Sequence, residues 1–341
     1  MMARRNWLTF VLLGGVIVLV AVAAELVGDR LLLRITTNLC ISMVLVIGLQ
    51  IFMGNSGILS FAHVGFMGVG AYTSAVLTIP VQMKGMALPN LYPFLADVQM
   101  LPVVGMALGG LTAALVAALA VYPLMRLSDA AAVITSFALF VVLHTIMYHW
   151  SDVTNGPRTL FGIPGGTTLP LAAGVAIAAV LAALLFKESR VGRLLRASRD
   201  DEIAAASLGA HIPRLRWQAF IVSALLAGIG GALWGHFITS FSPKQLWLKE
   251  TFVILAMLVI GGPRTVTGAV VGVLIVTASF ESLRSLEGAI NRADILSEPL
   301  VGMTELTLAV AMIAVLALRP GGICPSREVG YYLFRRRARG P

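Results

Sequence analysis

Apolar residues occur along the chain in long blocks, with polar residues gathered in short stretches between them. Nearly unbroken apolar runs cover 7–27, 31–53, 58–79, 102–121, 130–150, 169–186, 217–239, 251–260, 266–283 and 300–318. Most approach the roughly 20 residues that a helix needs to cross a bilayer. Counting the short run 251–260 as a full crossing brings the total to about ten. Such runs predict helices, because lipid offers no water to backbone N–H and C=O groups and a helix pairs them internally. The expected fold is an all-α polytopic membrane protein, with one transmembrane domain over residues 1–341.

Two interruptions differ from ordinary loops. Gly54-Asn55-Ser56-Gly57 and the stretch from Gly261 to Gly268 place glycine and polar residues inside apolar sequence. One reading is a pair of broken helices, tolerated at membrane depth only where protein or a water-filled cavity covers the irregular backbone. Set in corresponding halves, such breaks point to a transport pathway built from an internal repeat. The other reading is two tight cytoplasmic turns. Small residues at four-residue spacing predict close helix approaches and no chemistry: Gly105 and Gly109, then Ala227, Gly231 and Gly235, then Gly268 and Gly272.

The long polar insert 187–216, KESRVGRLLRASRDDEIAAASLGAHIPRLR, stands apart. It holds seven of the 25 Lys and Arg residues, and Asp200, Asp201 and Glu202 are consecutive. Ser198, with Asp201 three residues on, fits a capping box, which predicts a helix beginning at Arg199. The three carboxylates would fill its first turn, where the helix dipole favours negative charge. Ala204, Ala205 and Ala206 continue the helix, and Gly209 and Pro213 end it after about ten residues. A basic segment of this kind can also rest on anionic lipid. The triple acid would be repelled by that surface, so a protein partner suits residues 199–209 better.

Composition agrees with the pattern. The chain is 58% hydrophobic and 12% charged, against about 25% charged in soluble domains, and its mean hydropathy is +0.91. The net charge of +9 implies no nucleic-acid partner, because 17 of the 25 cations fall in alternate connections and both termini, as the positive-inside rule requires. That asymmetry puts both termini, the insert 187–216 and the basic tail 319–341 in the cytoplasm. The first run ends in Ala21-Val22-Ala23 and follows Arg4 and Arg5, which resembles a signal peptide; its length and the further spans favour an uncleaved first span. Cys40 and Cys324 have neither metal-ligand spacing nor a plausible bridge.

Candidate chemistry is sparse. The chain contains no GxxxxGK[ST] phosphate loop, no HExxH and no GxSxG, so neither an enzyme nor self-contained ATP binding is expected, and no cofactor. Glu25, Glu281 and Glu305 lie near span ends. The mid-span polar residues are mostly neutral (Asn38, Gln50, Ser60, Thr135, Ser136, Ser223), with His63 and His144 as exceptions. Ion-coupled transport normally requires ionisable groups within the membrane. A pump lacking them must take its energy from elsewhere, and the insert is the candidate entry point. Asn55, Ser60, His63 and Thr135 are the candidates to line a pathway. A self-contained secondary transporter or channel is the competing class.

The run from Ser189 through Arg193 and on from Arg199 to Gly209 closely resembles the cytoplasmic loop of LivM-type permeases, membrane subunits of branched-chain amino acid importers of the ABC class. Gly54 to His63, continuing through Gly68 to Tyr72, resembles a second signature of that family. Asn155-Gly156, Gly162-Ile163-Pro164, Val259 to Gly262 and Leu318 to Ile323 extend the likeness over most of the chain. The resemblance implies a LivH-type second permease, two cytoplasmic ATPases that carry the ATP, a periplasmic binding protein and residence in a bacterial inner membrane. It also implies that residues 199–209, with Arg199, Asp200, Asp201, Glu202, Ala204, Ala205, Ser207, Leu208 and Gly209, form the helix that docks on an ATPase. Related permeases carry urea, amides and other small solutes, which is the alternative substrate class. Two departures stand out: Glu202 sits one position early for the importers' Glu-Ala-Ala pattern, and Pro263-Arg264-Thr265 replaces the usual Gly-Leu-Gly.

Overall fold

A computed structural model describes residues 4–127, 129–292, 302–319, 321–324 and 327–331. In chain order the helices are α1 (Arg4–Val27), α2 (Arg30–Ser56), α3 (His63–Thr78), α4 (Val81–Ala87), α5 (Pro93–Ala96), α6 (Pro102–Ala120), α7 (Asp129–His149) and α8 (Ser151–Thr154). They continue with α9 (Leu169–Glu188), α10 (Arg190–Asp200), α11 (Glu202–Ser207), α12 (Ile212–Ile238), α13 (Leu248–Gly261), α14 (Val266–Arg292) and α15 (Met303–Leu318). Among the described residues there is no strand, only an isolated bridge between Leu160 and Phe241. Among the described residues seven helices are long and apolar enough to cross a membrane: α1, α2, α6, α7, α9, α12 and α14. The other three apolar helices, α3, α13 and α15, have 16, 14 and 16 residues. The chain is thus an all-helical, multi-pass membrane protein.

α2 and α12 form the centre of the bundle. Nearly every residue of α2 from Thr36 onward is buried, whereas α6 leaves Leu111, Leu115 and Leu119 exposed at four-residue spacing as an outward apolar stripe. The predicted small-residue stripes meet where helices cross. A Cβ at Gly231 would overlap the Met67 carbonyl, and one at Gly70 would overlap the Gly228 backbone. Gly109 faces the Gly70 carbonyl in turn, so α3, α6 and α12 lock together backbone to backbone. Gly261 against Gly268, and Gly272 against Met257, seat α13 on α14 in the same way.

Contacts between connecting segments gather at two ends. At one end, Trp217 donates to the Ala118 carbonyl, Arg216 to the Leu127 carbonyl and Arg199 to the Gly54 carbonyl. At the other, His236 meets the Pro164 carbonyl, the Met100 N–H donates to Leu77, and Lys249 pairs with Glu305.

The two interruptions are structurally unlike. After Ser56 the chain runs without helix from 57 to 62 and re-enters the bundle, with Ile58, Ser60 and Ala62 buried. α3 then starts beside Ser223 and, through it, Gly48. Gly48 is about 12 Å along α2 from Ser56, at 1.5 Å per residue. This is a broken helix whose irregular backbone is covered by protein. The second interruption is a tight turn, 262–265, between α13 and α14. It is closed by the C-terminal segment, where Ile323 and Cys324 donate backbone N–H groups to Ile260 and Gly261.

The polar insert departs from its predicted form. It holds two helices, and neither begins at Arg199. Ser189 caps α10 by accepting from the Gly192 N–H, and α10 continues through Ser198, whose hydroxyl bonds back to Leu195. The reason is packing: Gly192, Leu195 and Ser198 form a buried stripe at helical spacing. Asp201, in an extended conformation, caps α11 by accepting from the Ala204 N–H. The helix expected over 199–209 is therefore six residues long and starts at Glu202, while Arg199 and Asp200 close the helix before it. Arg335, Arg336, Arg337 and Arg339 of the predicted basic tail lie outside the described residues.

Candidate coupling and pathway residues

α11 presents an apolar surface at the polar end of the molecule. Ile203 is 81% and Leu208 86% exposed, on a segment flanked by charge. Large apolar side chains left in solvent in that setting are candidates for contact with a partner. Ala204 is exposed as well, but Ala205 is buried and faces the chain's own bundle. Ser207 bonds the Ile203 carbonyl. Gly209 takes φ +84°, a left-handed conformation that suits glycine and ends the helix with open space around it.

Glu202 has a defined partner. Its carboxylate accepts from Arg216 at 2.8 Å, and Arg216, itself buried, also donates to the Leu127 carbonyl at 3.1 Å. The pair ties α11 to the start of α12 and to the turn ahead of α7. Asp200 is exposed and pairs with Arg199 at 3.4 Å.

α10 connects this surface to the first interruption. Arg199 donates to the Gly54 carbonyl, and Arg196 reaches Asn55 Oδ1 at 3.4 Å. Burial pulls the Arg196 guanidinium below the usual arginine range; the Arg199 and Arg193 charges add to this, and Glu188 and Glu328 oppose it. Asn55 also caps its own helix wall by donating to the Ile51 carbonyl at 2.8 Å.

Inside the bundle, Ser60, His63, Ser223 and the Gly48 carbonyl form a chain. Ser223 donates to Gly48, so it accepts from His63 Nε2, and His63 Nδ1 accepts from Ser60 at 3.1 Å. The imidazole thereby carries a proton on Nε2 and pins the start of α3 to α12 and α2. His236 on α12 meets Ser74 on α3 at 2.9 Å, near the far end of the same helix pair. Asn55, Ser60 and His63 are all buried, and Thr135 bonds its own helix at Ala131. Its neighbour Ser136 accepts from the Phe61 N–H across the interruption. The structure therefore brings Asn55, Ser60 and His63 together around one break and leaves Thr135 apart from them.

Several residues carry more than the sequence assigns to them. Ile203 interrupts a polar and alanine stretch with one bulky apolar side chain, a readable signal. Ser136 and Ser223 are visible as neutral polar residues within spans. Glu250 joins Glu281 and Glu305 around a 560 Å³ cavity at the end away from the insert. Glu328 is buried and accepts from the Val266 and Thr267 N–H groups at 3.0 Å each, capping α14 from 62 and 61 residues downstream. Nothing local to Glu328 announces that role.

Comparison with known proteins follows the same lines. Residues 31–318 match the family described as branched-chain amino acid transport system / permease component. The high-affinity branched-chain amino acid transport system permease protein LivM of Salmonella typhimurium is 26% identical over 95% of this chain and 77% of its own length. The corresponding LivH protein of the same organism is 30% identical over 46% of each chain. A probable LivH permease of Methanocaldococcus jannaschii is 25% identical over 87% of this chain and 92% of its own. No solved structure matches significantly.

Proposed function

Because the chain belongs to the branched-chain amino acid transport permease family, we propose that it is the LivM-like membrane subunit of an ATP-driven importer for branched-chain amino acids. It is a transport component and not an enzyme, as its relatives are. The observation that carries the coupling reading is the exposed pair Ile203, on the capped helix α11, and Leu208, just after it, in a chain without a phosphate loop. Two separate cytoplasmic ATPases would supply the ATP chemistry, one of them seating on α11. The likeness to both LivM and LivH relatives supports a LivH-type permease as the second membrane subunit. A periplasmic binding protein delivers the substrate at the opposite end.

In this reading the ten apolar helices all cross a bacterial inner membrane, with both termini and the insert 187–216 in the cytoplasm. The cation asymmetry supports that orientation, as does the gathering of Gly54, Leu127, Arg199 and Trp217 at one end. Motion enters at α11, passes to α10 through the Asp201 junction and reaches the first interruption through Arg199 and Arg196. The segment 57–62 and the start of α3, held by His63, are the parts that move. Asn55, Ser60 and His63 act as the moving wall of the pathway, not as ligands in the conformation seen here.

Reconstitution tests the proposal. ATP-dependent leucine uptake should require this chain, its paired permease, the ATPases and the binding protein together. Ion-gradient uptake by the isolated chain would sink it in favour of a secondary transporter. Competition by urea or amides for the accompanying binding protein would move the substrate to the alternative class.

A further inference from the structure

A cavity of 720 Å³ at the same end as the insert borders the coupling route at Arg196 and Arg199 but has no role of its own in it. It is lined by Lys187, Arg193, Arg196, Arg199, Arg264 and Arg327, with Asn6, Glu188, Glu328 and Tyr331. Six cations thus face two carboxylates. One of the two is already spent: Glu328 Oε1 accepts from Lys187 and the Val266 N–H, and Oε2 accepts from the Thr267 N–H and hydroxyl. Asn6 donates to the other, Glu188. Arg199 is committed to Gly54 and Asp200. Among the described residues, Arg193 and Arg264 have no ion-pair partner, and Arg327 lies over the Tyr331 ring at 4.0 Å.

Arg193, Arg264 and Arg327 are exposed to the cavity's solvent, and their like charges around one space make it a favourable place for an anion. The geometry points to a bound phosphate-bearing anion: planar arginine forks arranged around a common volume suit phosphate oxygens, and arginine is favoured wherever such groups are recognised. We propose that this cavity binds the phosphate of an anionic phospholipid headgroup. Its wall is built by Asn6 at the foot of α1 and by Lys187 and Glu188 at the end of α9, where two apolar spans give way to polar chain. Basic pockets at the ends of membrane helices are suited to such headgroups. A soluble phosphate compound shares the chemistry and is the second source to be separated from lipid.

The test uses the full chain within its purified complex, in phosphatidylcholine nanodiscs with or without phosphatidylglycerol. Native mass spectrometry should show retained phosphatidylglycerol on the wild type. Arg193→Gln with Arg264→Gln should weaken retention roughly thirtyfold, at the strength expected for two basic residues at an anionic surface. Arg193→Lys with Arg264→Lys should restore much of it, which separates lost charge from lost folding. Titration of the pure phosphatidylcholine sample with pyrophosphate, read by calorimetry, forms the other arm. Pyrophosphate binding that disappears in the Gln pair, with no lipid retained, assigns the site to a soluble phosphate. Equal retention by wild type and Gln pair, or no binding of either probe, overturns the proposal. Neither arginine lies on α11 or contacts the first interruption, so ATPase capture, read beside anion binding, keeps loss of docking and loss of the anion as separate results.

Discussion

Arg199 donates from Nη1 to the Gly54 carbonyl at 2.7 Å, and its aliphatic stem fills the space that any side chain at Gly57 would need. Gly54 in turn is packed so closely on the Pro263 carbonyl that a Cβ there would overlap it. One arginine of the polar insert therefore touches the first interruption, and the first interruption touches the second. Arg199→Met keeps the stem and removes the donors. ATPase binding should be retained while ATP-driven uptake falls roughly five- to tenfold, the scale of a coupling energy between sites. Unchanged uptake would show that the contact transmits nothing.

Ile203→Glu and Leu208→Glu alter side chains that touch solvent, so folding should be nearly unaffected. Each should weaken capture of the ATPase by about thirtyfold, as for an interface anchor worth about 2 kcal/mol. Ala205→Arg should behave differently, because Ala205 is buried against the bundle. That variant should lower yield and apparent melting temperature even without the ATPase. Pull-down and a detergent melting series separate the two classes. A docking-only phenotype for Ala205→Arg would contradict the orientation of α11.

The helix crossings give the clearest packing contrast. Gly231→Val forces a side chain into the Met67 carbonyl and should abolish folded protein, an overpacking cost above about 3 kcal/mol. Gly174 on α9 has nothing within 4 Å of a built Cβ. Gly174→Ala should therefore leave expression unchanged or raise stability by up to about 1 kcal/mol, as expected for a helix interior. Size-exclusion profiles of the two variants are sufficient to check this.

Much of this architecture is written locally. Apolar run length places all ten apolar helices, and the four-residue glycine spacing marks the crossings, because both depend on chemistry within a few residues. The polar insert was legible as a separate charged, helical segment but not in its division. Asp201 and Ser198 are both good caps, and only the burial of Leu195 decides that α10 runs through Ser198 and breaks at Asp201. The two interruptions look alike in sequence, yet one is re-entrant and the other a turn. What separates them is distant: Ser223 and Ser136 receive the first, and the segment around Cys324 and Glu328 closes the second. Long-range partners of this kind leave no spacing signature.

The interior hydrogen-bond chain should be sensitive at its middle. Ser223→Ala leaves both the Gly48 carbonyl and the His63 Nε2–H without their partner inside the bundle. The expected cost is about 1–2 kcal/mol. Ser60→Ala removes only the donor to Nδ1 and should cost less. If His63 pins the start of α3, Ser223→Ala should also raise hydrogen exchange over 57–66. Unchanged exchange there would mean that packing alone holds the re-entrant segment.

Glu328 supplies a prediction with a sign. Burial pushes its carboxyl up, but Lys187 and the hydrogen bonds from Thr267 outweigh that, so it titrates below the ordinary 4.5. A carboxylate whose folded pKa is depressed contributes stability that is complete above its unfolded value and is lost as pH falls through the folded one. The wild type should therefore keep the α14 cap at neutral pH and lose it progressively below about pH 4.5. Glu328→Gln breaks a buried pair and turns an acceptor into a donor opposite the Val266 and Thr267 N–H groups. It should be less stable at neutral pH by about 3 kcal/mol, with no matching loss on acidification. The apparent melting temperatures of the two proteins should then converge as pH drops. A gap that stays constant as pH falls well below 4.5 would mean that the carboxylate charge is not what holds the cap.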